Sequence, residues 1–157
     1  MKAGFVILGA KETEAQLRTL GTRVQQKVVK QAVRAALKPL QARARANARS
    51  ISRAGRMGPL LAKHIVITTP KRQKPGIYAL HVQMRAGIPA FTDVAENGRE
   101  YYIPAAIEYG HGPSGEQVAR PFMRPAADAT RDAAKRILSQ ELRIGILREA
   151  IRGRYAG

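Results

Sequence analysis

Between residues 22 and 48 apolar side chains return at intervals of three and four: Val24, Val28, Val29, Ala32, Val33, Ala36 and Leu40. At about 100° per residue these positions gather on one side of a helix. Alanine, leucine, lysine, arginine and glutamine fill the rest, all good helix formers. Thr22 is placed to cap the start, and the helix is predicted to run to about Ala48. Pro39 predicts a kink, because proline removes one backbone donor and crowds the preceding turn. Before this helix, Gly4–Leu8 reads as a strand and Lys11–Leu20 as a short helix ended by Gly21.

The pattern changes after Arg49. Residues 49–59, "RSISRAGRMGP", read as a mobile basic connector. His64–Thr69 and Ile77–Arg85 read as strands, joined by "PKRQKPG" (Pro70–Gly76), a turn longer than a tight two-residue hairpin. Residues 86–100 read as a long loop. "YYIPAAIEY" (Tyr101–Tyr109) reads as a third strand, with Pro104 marking an edge or a bulge. A last helix is predicted from Pro125 or Ala126 to about Ile151, with proline in its first turn and Asp128 and Asp132 near its positive end. The expected architecture is α+β: a small, mainly antiparallel sheet flanked by a long N-terminal helix and a C-terminal helix, in a single domain over residues 1–157.

Composition sharpens this. The chain of 157 residues is 45% hydrophobic, ordinary for a folded protein, and has no cysteine. That removes disulfides and thiol catalysis and leaves any metal site to histidine and carboxylate. No apolar run approaches the ~18–20 residues of a membrane span. Phe5–Leu8 is too short for the core of a signal peptide, and Lys11 and Glu12 follow it closely.

Charge changes the picture most. The net charge is +17, and residues 1–58 hold 13 basic and 2 acidic side chains. From Ala15 through Thr92 there is no Asp or Glu. Arg23, Lys27, Lys30, Arg34 and Lys38 fall within an arc of roughly 80° on the face of the long helix opposite the apolar one, and Arg45 and Arg49 continue it. Solvated helix faces usually interleave the two signs, so an almost pure cationic stripe points to a partner of dense negative charge. Nucleic acid is the first candidate, ahead of an anionic membrane or an acidic protein surface. The helix lacks the Trp, Phe and Leu face of an interfacial helix, which counts against the membrane.

Catalytic chemistry finds little support. Gly110, Gly112 and Gly115 spell G-x-G-x-x-G, but a dinucleotide fingerprint needs a helix to open directly after the glycines, and Pro121 and Pro125 bar one there. His64, His81 and His111 have no metal-ligand spacing. Ser114 lies near His111 with no acid placed to orient it, and Glu108 has no second carboxylate spaced to work with it. The bland readings win: histidines on strand faces, and glycines that let the chain leave through backbone angles other residues resist. No enzyme activity and no cofactor are expected.

"IEYG" (Ile107–Gly110), a short loop, then "ARPFMRPA" (Ala119–Ala126) at a helix start resembles the neck or tail-completion proteins of long-tailed phages of the Hong Kong ninety-seven type, often described as tail components. The positions that carry the resemblance are Glu108, Tyr109, Gly110, Pro121, Phe122, Met123, Arg124, Pro125 and Ala126. The coarse order of elements resembles the family over most of the chain, but only residues 107–126 are specific. The chain departs from the family at "GPLLAKHI" (Gly58–Ile65), which has one extra residue and no serine, and at His111, where relatives often have threonine.

The resemblance implies a structural virion protein at the head–tail junction, made in the host cytoplasm. It would form a ring between the head-closing stopper and the tail terminator or tail tube, around the channel that DNA crosses. Sixfold symmetry is expected by analogy with neighbouring rings. Head-to-tail ring contacts need two complementary faces per subunit, and residues 49–59 and 86–100 are candidates for them. The stripe would then face either DNA or acidic surfaces of adjacent rings. The alternative is a cytoplasmic basic nucleic-acid-binding protein, ribosomal or nucleoid-like, with Leu40–Arg56 as an RNA-contacting arm. Against it stand the low aromatic content, 5%, and the lack of a nucleic-acid-binding motif.

Overall fold

The structure is a computed structural model that describes residues 15, 17, 18, 20, 22–51, 56–72, 78–110 and 118–155. The expected strand at Gly4–Leu8, most of the short helix after it and residues 73–77 of the expected turn and second strand lie outside the described residues.

Two long helices dominate. The first, α1, spans Thr22–Arg49 and runs through Pro39 as one element. The last, α4, spans Arg124–Tyr155, four residues beyond the expected end. They make the most extensive contact between any two elements. Small side chains let them approach: Ala32 and Ala36 of α1 meet Ala134 and Leu138 of α4. The hydrophobic side of α1 is the one read from the sequence, with Val28, Ala32, Ala36 and Leu40 all buried. Leu37 and Ala44 belong to it as well.

Between these helices the chain makes α2 (Met57–His64), β1 (Ile65–Thr68) and β2 (His81–Met84). A 3-10 turn follows at Pro89–Phe91, then β3 (Thr92–Val94), β4 (Glu100–Tyr102) and α3 (Ile103–Tyr109). Strands β1 and β2 pair antiparallel from Ile65 opposite Met84 to Thr68 opposite His81. Strands β3 and β4 pair antiparallel from Thr92 opposite Tyr102 to Val94 opposite Glu100. The class is α+β, as expected, but the described residues form two separate two-stranded sheets in place of one.

Three further expectations are corrected. Met57–Pro59, taken as the end of a mobile connector, is the first turn of α2, and Gly58 is buried there. The segment Tyr101–Tyr109, expected as a third strand, is extended only as far as Tyr102. Ile103–Tyr109 is helical, with Pro104 in its opening turn. In both places proline occupies helix positions whose N–H has no intrahelical partner to lose, so it starts a helix where a strand break or loop was read. Residues 86–100, expected as a loop, hold the 3-10 turn, β3, the hairpin bend and the start of β4. Gly98, at φ 75°, turns that bend, and its N–H donates to the Ala95 carbonyl at 2.8 Å.

The main core lies where α1, α2 and the first hairpin meet the start of α4. Leu37, Leu40, Leu61, Ile65, Val82, Phe91, Phe122 and Met123 are all buried in it. At roughly 25 cal/mol per Å² of apolar surface removed from water, a cluster of this size is the main source of stability.

Candidate functional site

The motif that carries the resemblance folds into one corner, and Glu108 holds it. Pro104 starts α3 and Gly110 ends it at φ 83°, a backbone region that favours glycine. This places the Glu108 side chain inside the protein, 1% exposed. Its Oε2 accepts the backbone N–H of Phe122 at 2.8 Å and of Met123 at 3.0 Å. Its Oε1 accepts the Arg124 N–H at 3.1 Å and the Arg124 Nε at 3.3 Å. The same guanidinium donates to the Glu108 carbonyl at 3.0 Å and sits 5.0 Å from the centre of the Tyr109 ring.

The physical logic is that of a helix N-terminus. The first N–H groups of a helix lack intrahelical acceptors, and a carboxylate placed there satisfies them and meets the positive end of the dipole. The first turn of α4 has no acidic residue of its own. Asp128 and Asp132 turn instead to their own helix, pairing with Arg131 at 2.9 Å and Lys135 at 3.6 Å. Glu108 supplies the missing acceptor from another element. Two further bonds close the corner: the Arg120 N–H donates to the Ile107 carbonyl at 2.7 Å, and the Asn47 amide donates to the Phe122 carbonyl at 3.1 Å. Phe122 and Met123 are thereby seated in the core, each 1% exposed, while Pro121 and Pro125 stay exposed.

The carboxylate is thus fully engaged by backbone and guanidinium donors, an arrangement for structure. His111, Gly112, Ser114 and Gly115 lie outside the described residues. His64 and His81 do not come together: His64 closes α2, ahead of the Ile65–Met84 pair, whereas His81 pairs with Thr68 at the other end of the ladder. His64 packs edge-on against Phe91, with ring centres 5.5 Å apart. Among the described residues no three histidine or carboxylate side chains are grouped to hold a metal.

The cationic face is the second feature. Arg23, Lys27, Lys30, Arg34 and Lys38 are all exposed along α1, and Arg49 is exposed at its end. Lys27 has one acidic neighbour that the sequence did not bring near it, Glu149 of α4, at 3.9 Å. Glu149 also pairs with Arg152 at 3.2 Å. Arg45 leaves the stripe. Its guanidinium donates through Nε and a terminal nitrogen to the Ile65 carbonyl at 3.2 and 2.8 Å, and the Gln41 amide donates to the same oxygen at 2.9 Å. The pair ties α1 to the start of β1, which gives Arg45 a structural role that the sequence did not show.

Sequence reasoning missed the acceptor role of Glu108 and the part played by Asn47. The first depends on Ile103–Tyr109 folding as a helix where a strand was expected, so no pattern in the sequence brought Glu108 to the start of α4. Comparisons with protein-family models, with curated proteins and with solved structures gave no match.

Proposed function

We propose that this chain is a non-enzymatic structural protein of a phage head–tail junction, built to assemble as a ring between the head-closing stopper and the tail terminator or tail tube. The observation that carries the reading is the Glu108 corner. The two halves of the motif, "IEYG" and "ARPFMRPA", are 8 residues apart in sequence, yet one carboxylate joins them physically through three backbone N–H groups. The residues that carry the resemblance therefore act as a single structural unit, which suits a part whose task is to hold shape. The α1 stripe supplies a surface for an anionic neighbour, either channel DNA or an acidic face of an adjoining ring.

The second reading, a basic nucleic-acid-binding protein of the host cytoplasm, draws on the same stripe. Negative-stain electron microscopy of the purified full chain, with mass photometry, separates the two. Closed rings of one subunit number, six by analogy, are expected. A chain that stays monomeric at every concentration contradicts the ring.

A further inference from the structure

An open groove of about 460 Å³ runs between α1 and the first hairpin. Arg34, Lys38 and Gln41 line one wall, at helical spacing that puts them on one face. Thr68 of β1, with Gln83 and Arg85 from the β2 side, lines the other. Thus three cations and three neutral polar groups converge from three elements, and no acidic residue among those described borders the groove. Among the described residues none of the Arg34, Lys38 and Arg85 side chains makes an ion pair, although Lys27, on the same helix, does. Among the described residues their charge has no counter-ion.

We infer that this groove binds the phosphate backbone of duplex nucleic acid, with the stripe as its approach. Three observations select that partner. The cations from Arg23 to Lys38 are set in a line about 22 Å long, at 1.5 Å of rise per residue. A duplex strand offers a comparably regular row of charge, about one phosphate per 3.4 Å of axis. The guanidinium groups of Arg34 and Arg85 present planar forks that match phosphate oxygens in pairs, and the Gln83 amide and Thr68 hydroxyl beside them add neutral donors of the kind that contact DNA backbones. No aromatic side chain among the described residues lines the groove, so it has no platform for stacking unpaired bases. Recognition is therefore of backbone and independent of sequence. This goes beyond the neck reading and does not depend on it, since a backbone groove serves a ring subunit and a free protein alike.

The test is fluorescence anisotropy of the full chain with a labelled duplex of about 20 base pairs across a salt series. Two triple variants are compared: Arg34→Gln, Lys38→Gln and Arg85→Gln in the groove, and Arg99→Gln, Arg136→Gln and Arg143→Gln, exposed elsewhere, with the same loss of charge. The groove variant should bind at least about tenfold more weakly, and the slope of log affinity against log salt should shrink by about 2 to 3, one phosphate per cation lost. The control should change little, and scrambling the duplex sequence should change nothing. Arg85→Gln alone should reduce the slope by about 1, which keeps the test decisive if the triple variant fails to fold. Equal losses in the two triple variants overturn the inference in favour of a diffuse charge effect. A poly-glutamate peptide of equal charge that binds more tightly than the duplex overturns it in favour of an acidic protein. Ring formation, scored separately by microscopy, decides the neck reading whichever way the binding falls.

Discussion

Glu108 shows how far one residue can be read from sequence and where the reading stops. Its place in the motif was legible, because Glu, aromatic and glycine stand together ahead of the proline-flanked phenylalanine. Its acceptor role was not, since that depends on α3 folding as a helix and bringing the carboxylate to residues 122–124. Glu108→Gln tests the role. The amide keeps the shape, but it loses the charge and replaces one acceptor oxygen with a donor aimed at backbone N–H groups. A buried donor left without its acceptor costs about 1–3 kcal/mol, and bonds to a charged group are the stronger ones. The variant should therefore lose about 2–4 kcal/mol in denaturant titration. A midpoint equal to the parent's would show that the corner holds without its carboxylate.

Among elements, the long helices and the first hairpin, Ile65–Thr68 with His81–Met84, were legible, and the three-residue strands were not. Helix α1 carries its own periodicity over many turns, so its apolar face and its cationic face could both be assigned. Strands of three residues, such as Thr92–Val94 and Glu100–Tyr102, are too short to establish an alternation, and their residues are largely exposed. The Asn97–Gly98 pair at the bend between them lay within the stretch that read as a loop. Helix α2 escaped for another reason: glycine and proline near its start read as loop, whereas Pro59 sits in its first turn and Gly58 lets α2 approach the end of α1. A methyl group on Gly58 would lie 2.8 Å from the Ala48 carbonyl oxygen, part of a helix backbone that cannot withdraw. At Gly145, where α4 packs on α1, the obstacle is a Val28 methyl at 2.6 Å, on a buried side chain that must turn or shift rather than on a helix backbone, and alanine also gains up to about 1 kcal/mol of helix propensity. Gly58→Ala should thus lose about 1–3 kcal/mol, the usual range for overpacking, and Gly145→Ala less. Thermal melts in the reverse order would mean that the α1–α2 contact is looser than this geometry implies.

At the scale of the whole molecule, a buried corner and a charged surface have different work. The corner around Glu108, Phe122 and Met123 fixes the start of α4 against the core. Among the described residues the face of α1 and the groove beside it give their cations few internal partners. Changes to the cationic face should spare the fold, because exposed charges contribute modestly to stability. On the proposed reading, loss of the protein should show as failed joining and not as failed chemistry. The most direct measurement takes the phage genome that the proposed reading requires to carry this gene, places an early stop codon at Lys11, and examines the lysate by electron microscopy, with the intact gene supplied in trans as control. Filled heads and finished tails that remain unjoined, restored to whole particles by the intact gene, are the predicted result. Whole, infectious particles in normal yield without the protein would contradict its place at the head–tail junction.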